Sequence, residues 1–293
     1  MKIKDTPGVL IFRCFNAIIL SVFAIMCFYP LYHVIMASFS DGNSLIAHTG
    51  ALIKPLDFTL SGYTRIFEYP ILLRSYANTL IICAVTLSLN ILLTSFAAYA
   101  LTRKELKIRN IVMMLILFTM YFNGGMIPTY MLIRNLGLLN SLWAVILPGA
   151  ITTYNMIVLR TSYATLPESL YEAARMEGAG HFQILFKIYI PLTKATLAVV
   201  VLYYLVASWN EWFKASLYLD DRDKYPLQLL LREILIENDT GEMSEGISDS
   251  DKQAVGETLK YSAIVISTLP ILCVYPFLQK YFAKGVMVGA VKG

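Results

Sequence analysis

The side chains best suited to contacting another molecule lie in a polar segment, residues 165–191, between two long apolar stretches. Thr165 and Glu168 match the T-x-x-E pattern of a capping box and Pro167 occupies the first turn, so a helix is expected to begin here. Gly178 stands where a left-handed residue commonly ends a helix, and a second short amphipathic helix is expected after it. One face of the first helix carries Leu166, Leu170, Ala173, Ala174 and Glu177. The pattern therefore predicts two short helices joined by a hinge.

This predicted pair of helices supports two interpretations. In the first, it is a structural amphipathic hairpin that lies on a membrane surface. In the second, its first helix docks into a partner protein, because Ala173 and Ala174 let another backbone approach closely and Glu172 offers a carboxylate to a partner arginine. Periodicity alone favours the first interpretation.

The chain around this segment is divided into long apolar blocks. Of its 293 residues 57% are hydrophobic and 15% are charged, and five stretches that carry no Asp, Glu, Lys or Arg reach or nearly reach about 20 residues, the length that spans a bilayer. In hydrocarbon the backbone must satisfy its own hydrogen bonds, so these blocks are expected to be helices. Together with a sixth, shorter block, they predict an all-α integral membrane protein with six transmembrane helices. The predicted spans lie near residues 14–37, 76–102, 110–133, 138–160, 193–213 and 259–280.

The distribution of charge between the blocks predicts the orientation of the chain. Basic residues concentrate in the N-terminal residues 1–13, in the connection 103–109 and after residue 279, and these three regions fall on one face if six spans alternate. The opposite connection, residues 215–258, carries eleven acidic and four basic residues. Since positive residues are retained on the cytoplasmic side, both termini are expected to be cytoplasmic.

These boundaries give three predicted parts. A cytoplasmic N-terminus, 1–13, precedes a six-helix transmembrane domain, 14–283, which includes the cytoplasmic loop 163–191 and the outer loop 215–258. A cytoplasmic tail, 284–293, follows.

Polar side chains inside the predicted spans are candidates to line a pathway, since burying them in lipid is costly. For each asparagine, a hydrogen bond between helices is the simpler explanation, and for the tryptophans it is an interfacial aromatic belt. The break at residues 123–128 is either a re-entrant feature that lines a pathway or an outer turn. The candidates are Asn78, Asn90, Asn123, Tyr154, Asn155, Trp209, Asn210 and Glu211.

The sequence shows no catalytic pattern. His33, His48 and His181 are scattered, the four cysteines lie in apolar blocks without a C-x-x-C pair, and no G-x-x-x-x-G-K-[ST] loop is present. We expect that this chain is not an enzyme and that it binds no metal, no cofactor and no nucleic acid. Without a nucleotide-binding loop, any energy-dependent step is expected to draw on another subunit or on an ion gradient.

Residues 172–191 resemble the EAA-x3-G-x9-I-x-L-P motif of bacterial ABC importer permeases, with Ile190 in place of the leucine. In that family this loop is the coupling helix that sits in a cleft of the cytoplasmic ATPase subunit. The resemblance implies that Glu172 makes the polar contact there and that Gly178 makes the turn. The matching residues are Glu172, Ala173, Ala174, Gly178, Ile188 and Pro191.

Other segments, 123–130, 135–138, 209–212 and 281–293, resemble the smaller permease of maltose-type carbohydrate importers. A weaker resemblance is to the second permease of an alginate-oligosaccharide importer. The likeness implies the type I ABC importer permease fold, an outer loop that contacts a solute-binding protein, and a tail that reaches the ATPase interface. The tail residues concerned are Lys284, Gly285, Gly289, Lys292 and Gly293.

The resemblance also implies the partners. These are a homologous second permease, two ATP-binding cassette ATPases that hold ATP and Mg, an extracytoplasmic solute-binding protein, an oligosaccharide and the lipid of a bacterial inner membrane. A secondary transporter is the alternative, and it would show acidic residues within broken helices and inverted repeats. A membrane enzyme would need catalytic residues at the interface.

Overall fold

The computed structural model describes residues 7–237 and 249–290, with the backbone alone at 236–237, 249–252, 275 and 277–290. All regular elements in these ranges are helices, which confirms the predicted all-α class for the described part of the chain. The helices are α1 (Pro7–Ser38), α2 (Gly42–Ala47), α3 (Ser61–Glu68), α4 (Pro70–Thr102), α5 (Arg109–Tyr121), α6 (Met126–Asn135), α7 (Leu142–Ile146), α8 (Thr153–Ala164), α9 (Glu168–Met176), α10 (His181–Ile184), α11 (Ile190–Leu192), α12 (Lys194–Trp209), α13 (Phe213–Tyr218), α14 (Leu227–Arg232) and α15 (Asp249–Ala290). Two π-helical turns, Leu185–Tyr189 and Glu233–Glu237, and one 3₁₀ turn, Arg222–Lys224, connect some of them.

Three helical stretches are long and apolar enough to cross a membrane: α1, α4 and residues Gln253–Val274 of α15. Two further candidates are broken, because α5 and α6 meet at 112° and the stretch His181–Leu192 meets α12 at 89°. If each bent pair is one span, the described residues provide up to five candidates by length and composition.

The helix expected over residues 110–133 is divided in two by residues 122–125. Gly125 takes a φ of +92°, a conformation that glycine adopts without strain. The Asn123 side chain accepts a hydrogen bond from the Gly125 N–H at 2.9 Å. This local turn ends α5 and starts α6 in a new direction.

The helix expected over residues 138–160 is also divided. Residues 147–152 between α7 and α8 are not helical, and Gly149 among them has a φ of +111°. Pro148 adds a second cause, because its ring and its missing N–H oppose a continuous helix. The continuous helix that hydropathy predicts is therefore two shorter helices here.

The outer segment contains a short helix, α14, formed by the apolar run after Pro226. The C-terminal helix is longer than expected, because α15 begins at Asp249, within the segment expected to be a loop up to residue 258. The backbone of α15 continues to Ala290, so Lys284, Gly285 and Gly289 of the expected tail lie on a helix. Residues 238–248 of the predicted outer loop, and Lys292 and Gly293, lie outside the described residues.

The chain forms two compact units. In the first, residues 1–69 and 233–268, two glycines let the chain pack directly on α15. A Cβ at Gly42 would lie 1.9 Å from the Ala254 carbonyl oxygen, and one at Gly62 would lie 2.4 Å from Ser262 Oγ. The Ser262 hydroxyl donates to the Ser38 carbonyl at 3.3 Å. Only glycine fits at such contacts.

The second unit, residues 70–232 and 269–293, is built on α4, α8 and α12, which pack against one another. Its largest apolar cluster contains Leu159, Tyr163 and Val200, all buried, and extends to the segment 171–189. The polar segment is thus anchored in the same core as the long helices.

Candidate functional site

The first helix of the polar segment, α9, begins at Glu168 without the predicted capping box. Its N-cap is Pro167, and no side chain caps it. The Thr165 hydroxyl instead donates to the Ser162 carbonyl at 2.8 Å, because Thr165 is the C-cap of α8. The capping-box prediction is wrong, since one threonine serves the end of the preceding helix.

The end of α9 follows the prediction for Gly178. Its φ is +80°, and no heavy atom lies within 4 Å of the position where a Cβ would be. The Gly178 N–H donates to Arg175 at 3.0 Å and the Ala179 N–H donates to Ala174 at 2.9 Å, which is the Schellman pattern. The left-handed turn at Gly178 is confirmed.

The side of α9 that packs against the core is narrow. Tyr171 and Ala174 are its buried residues, whereas Glu172, Ala173 and Leu170 are exposed. Of the five residues expected on one face of this helix, Ala174 is buried and Leu166 is half-buried against the core cluster, whereas Leu170, Ala173 and Glu177 are exposed. The exposed residues leave a surface of α9 open to another molecule.

The second half of the segment carries the other two motif residues. Ile188 lies in the π-helical turn Leu185–Tyr189 and packs against the core cluster, and Pro191 is exposed in α11. Pro191 has no N–H and so donates no backbone hydrogen bond to the helix. The Ile190 N–H donates to the Leu185 carbonyl, five residues earlier, which is the hydrogen bond of a π-helix. The motif residues are thus spread over four local structures.

A carboxylate next to α4 is held against α9. The pKa of Glu105 is lowered, mainly because its own backbone N–H donates to the carboxylate and further because the Tyr171 hydroxyl donates to it. Burial, and then the Glu105 contact, raise the pKa of Tyr171. The carboxylate therefore accepts this bond at neutral pH, and the contact weakens when the pH falls through the lowered pKa of Glu105.

A cavity of about 100 Å³ lies among α4, α7, α12, α13 and the non-helical residues 147–152. Both apolar and polar side chains line it, and we call it the polar cavity for the latter. Glu211 and Lys214 line it and form an ion pair with 2.7 Å between oxygen and nitrogen. Their side chains are 20% and 35% exposed. The cavity therefore offers both charge signs beside neutral hydroxyl and amide groups.

Side chains from the neighbouring helices satisfy the broken backbone at this cavity. Tyr204 accepts a hydrogen bond from the Thr152 N–H at 3.1 Å, and its hydroxyl lies 2.7 Å from Thr94 Oγ1. Asn90, with its amide nitrogen turned toward the break, donates to the Ala150 carbonyl at 3.0 Å. Non-helical backbone is tolerated at membrane depth only when it is satisfied in this way.

Of the eight pathway candidates, Asn90 and Glu211 line this cavity, whereas the Asn78 amide donates to the Asp223 carbonyl at 2.8 Å. Trp209 is buried with its ring edge-on to Tyr76, and the Asn210 amide donates to the Val206 carbonyl of its own helix. Asn155 is buried, whereas Tyr154 is exposed and lies beside Tyr203, and Asn123 is exposed at the turn after α5. The structure thus brings Asn90 and Glu211 to one cavity and does not bring the other six candidates to it.

Comparison with known proteins identifies the family of this chain. Residues 90–288 match the family described as "Binding-protein-dependent transport system inner membrane component". The chain belongs to this family of transport permeases.

Two full-length relatives of the permease come from Bacillus subtilis (strain 168). The polygalacturonan/rhamnogalacturonan transport system permease protein YtcP is 41% identical over 286 residues, which cover 96% of this chain and 99% of YtcP. Protein LplC is 38% identical over 291 residues, 99% of this chain and 97% of LplC.

A solved structure extends the likeness to three dimensions. The permease superposes with a TM-score of 0.87 on a chain of a bacterial ABC transporter involved in the import of the acidic polysaccharide alginate. The two are 31% identical, and the match covers 96% of this chain and 100% of that one. The fold is therefore that of a type I ABC importer permease.

Sequence reasoning missed part of the permease's polar cavity. Lys214, Thr152 and Tyr204 were not among the candidates, although Tyr204 places a hydroxyl inside an otherwise apolar block. The adjacent Pro148 and Gly149 were the sequence signal for a break in the same region. Only the tertiary structure shows that the Tyr204 hydroxyl and the break at Pro148 and Gly149 lie at the same cavity.

Proposed function

We propose that this permease is one of two permease subunits of an ATP-driven, binding-protein-dependent importer of oligosaccharides, with acidic ones as its preferred class. The observation that carries the proposal is the exposed helix α9, which holds Glu172 and Ala173 outward and is closed by the left-handed Gly178. A helix attached to the core through two buried residues, with its remaining surface free, is suited to insertion into a partner's cleft.

In this proposal α9 is the coupling helix. Two ATPase subunits, which hold ATP and Mg, receive the coupling helices of this chain and of a homologous second permease. Glu172 makes a charge-assisted bond to a basic residue of the ATPase, while Ala173 permits close approach of the backbones. ATPase closure then tilts the attached membrane helices and opens the pathway alternately to the two sides.

The proposed topology has six spans and two cytoplasmic termini. Hydropathy and length support five candidates when bent pairs are counted once, and α7 with α8 would form the sixth as a broken span. The basic connection at 103–109 and the acidic segment at 215–258 then lie on opposite sides of a bacterial cytoplasmic membrane.

The proposed substrate class rests on what the relatives transport. YtcP is named for polygalacturonan and rhamnogalacturonan transport, and the solved transporter imports alginate, so both handle polymers of acidic sugars. In the polar cavity Lys214 offers a cation to a sugar carboxylate and Glu211 an acceptor to a hydroxyl. Asn123, Tyr154, Asn155, Trp209 and Asn210 remain weaker pathway candidates.

The test begins with purification of the complex. The permease is tagged beyond Gly293, with an internally tagged copy as control, and is extracted from its native membrane in mild detergent. We expect mass spectrometry to identify a second permease and a P-loop ATPase in stoichiometric amounts. A permease that purifies alone from both copies, and moves solute in vesicles without ATP, would replace this proposal with the secondary-transporter alternative.

The same preparation tests the coupling helix and the substrate. ATPase activity is measured with the binding protein and either oligogalacturonides, alginate oligosaccharides or neutral maltotriose. We expect stimulation by an acidic oligosaccharide, and loss of the ATPase subunit or of the stimulation in Glu172→Arg. Stimulation by maltotriose alone would refute the acidic class, and wild-type behaviour of Glu172→Arg would refute coupling through α9.

A further inference from the structure

A single arginine lies at the junction between α4 and the polar segment. Arg103 directly follows α4, and its guanidinium carbon lies 5.1 Å from the ring centroid of Tyr99, 4.3 Å from that of Tyr171 and 5.1 Å from that of Tyr189. All three distances fall within the about 6 Å over which a cation is attracted to an aromatic face. We name these four residues the Arg103 cage.

The rings of the cage are fixed by further contacts. Arg103 Nη2 donates to the Tyr189 hydroxyl at 2.6 Å, and the rings of Tyr99 and Tyr189 pack edge to face with centroids 5.1 Å apart. The ring of Tyr163, on α8, also packs edge to face with that of Tyr189, with centroids 5.4 Å apart. Tyr99, Tyr171 and Tyr189 are 6%, 7% and 1% exposed, so the three rings are packed in the core, whereas Arg103 is half-buried and lines a cavity of about 530 Å³ together with Tyr99.

Each ring comes from a different element. Tyr99 belongs to α4, Tyr171 to α9, and Tyr189 to the π-helical turn that follows α10. Since Tyr171 and Ala174 are the buried residues of α9, Tyr171 is the larger of its two attachments to the core. Arg103 therefore contacts both the proposed coupling helix and the apolar helix α4.

The two residues after Arg103 also contact α9, but they lie outside the core. Lys104 pairs with Glu168 in the first turn of α9, and Glu105 accepts a hydrogen bond from the Tyr171 hydroxyl. The side chains of Lys104 and Glu168 are 69% and 46% exposed, and exposed pairs of this kind contribute little. The attachment of α9 therefore depends chiefly on its two buried residues, Tyr171 of the cage and Ala174.

Arginine is specifically suited to this position. Its planar guanidinium stacks on a ring and donates a directed hydrogen bond at the same time, whereas a lysine ammonium is a compact, strongly hydrated charge that does neither in the same geometry. Replacement of Arg103 by lysine keeps the positive charge but removes the combination of stacking on a ring and a directed hydrogen bond.

We propose that Arg103 is the positioning residue that transmits the movement of α9 to α4, through the tyrosine rings that it holds together. This inference rests on the proposed coupling function of α9. A rigid junction converts displacement of α9 into tilting of α4, whereas a loosened junction lets α9 move in the ATPase while α4 stays in place. ATP hydrolysis would then continue without transport.

The experiment uses the complete importer in proteoliposomes, with oligogalacturonides and alginate oligosaccharides as probes. Uptake and ATP hydrolysis are measured together, which gives the sugar transported per ATP hydrolysed. For Arg103→Lys we expect this ratio to fall about tenfold, within the usual range of coupling between sites, while the ATPase subunits stay bound. The matched control is Lys107→Gln, which removes an exposed positive charge four residues away and should leave the ratio at the wild-type value.

A second pair of variants tests the ring of Tyr171. Tyr171→Phe keeps the aromatic face and should keep the ratio near the wild-type value, whereas Tyr171→Leu fills similar space without the face and should lower it as Arg103→Lys does. This pair decides the question by itself if Arg103→Lys does not accumulate in the membrane.

The outcomes separate the inference from the proposed function. A wild-type ratio in Arg103→Lys, or equal ratios in the two Tyr171 variants, overturns the role of the cage. If Glu172→Arg still uncouples the importer in that case, α9 remains the coupling helix and only the cage inference fails. If Glu172→Arg also behaves as wild type, the proposed coupling function fails as well.

Discussion

The conformation of Gly178 determines the turn between the two halves of the polar segment. Its φ of +80° costs a residue with a Cβ roughly 1–2 kcal/mol, and no heavy atom within 4 Å would otherwise obstruct a side chain. A substitution at this position therefore acts through the backbone alone, which makes the turn unusually simple to test.

We expect Gly178→Val to weaken the turn and Gly178→Asn to preserve it, because asparagine tolerates the left-handed region and a β-branched residue does not. The measurement is the amount of ATPase subunit that copurifies with the tagged permease. Similar amounts in the two variants, at equal membrane levels, would show that the left-handed turn is not needed for docking.

Residues near Gly178 also show what the sequence could reveal about the site. The turn was predictable because a glycine follows an amphipathic repeat at a helix end, and this signal is local. The Arg103 cage was not predictable, since Tyr99, Tyr171 and Tyr189 are far apart in the chain and look like ordinary aromatic residues in apolar patterns. The capping box predicted at Thr165 is wrong because the Thr165 hydroxyl donates to the Ser162 carbonyl at the end of α8 instead of capping the start of α9.

At the scale of elements, uninterrupted helices follow from composition and broken ones do not. The block expected at 76–102 lies within α4, since no charge or helix-breaking residue interrupts it. The break at 147–152 persists because Asn90 and Tyr204, on two other helices, satisfy its backbone. A hydropathy window cannot detect hydrogen bonds that come from elsewhere in the chain.

This dependence predicts the effect of removing the tyrosine hydroxyl. Tyr204→Phe leaves the buried Thr94 hydroxyl and the Thr152 N–H without the tyrosine hydroxyl, and an unsatisfied buried group costs about 1–3 kcal/mol. We expect a lower midpoint of thermal unfolding for the detergent-purified importer. Tyr203→Phe, one residue away on a more exposed side of α12, is the matched control, and an equal shift in both variants would contradict a specific role for the broken backbone.

At the scale of the whole molecule, the charge distribution predicts which segments face the cytoplasm. We expect a cysteine introduced as Asp220→Cys to react with a membrane-impermeant maleimide in intact spheroplasts, and Lys107→Cys to react only after permeabilisation. Both positions are exposed, and the native Cys14, Cys27, Cys83 and Cys273 are first replaced by serine. Labelling of Lys107→Cys from outside would reverse the proposed orientation.

The π-helical turn Leu185–Tyr189 also determines the side of the helix on which the following side chains lie. Five residues along an ideal α-helix leave two side chains about 140° apart around the axis, whereas a bond between residues five apart brings them close to the same side. Ile184 and Tyr189 are both buried at this spacing. Deletion of one residue from the turn would leave Ile184 and Tyr189 four positions apart, about 40° around an α-helix, so the turn could become α-helical while Tyr189 keeps its side. Straightening the turn without a deletion would instead place Tyr189 about 140° from Ile184 and away from Arg103.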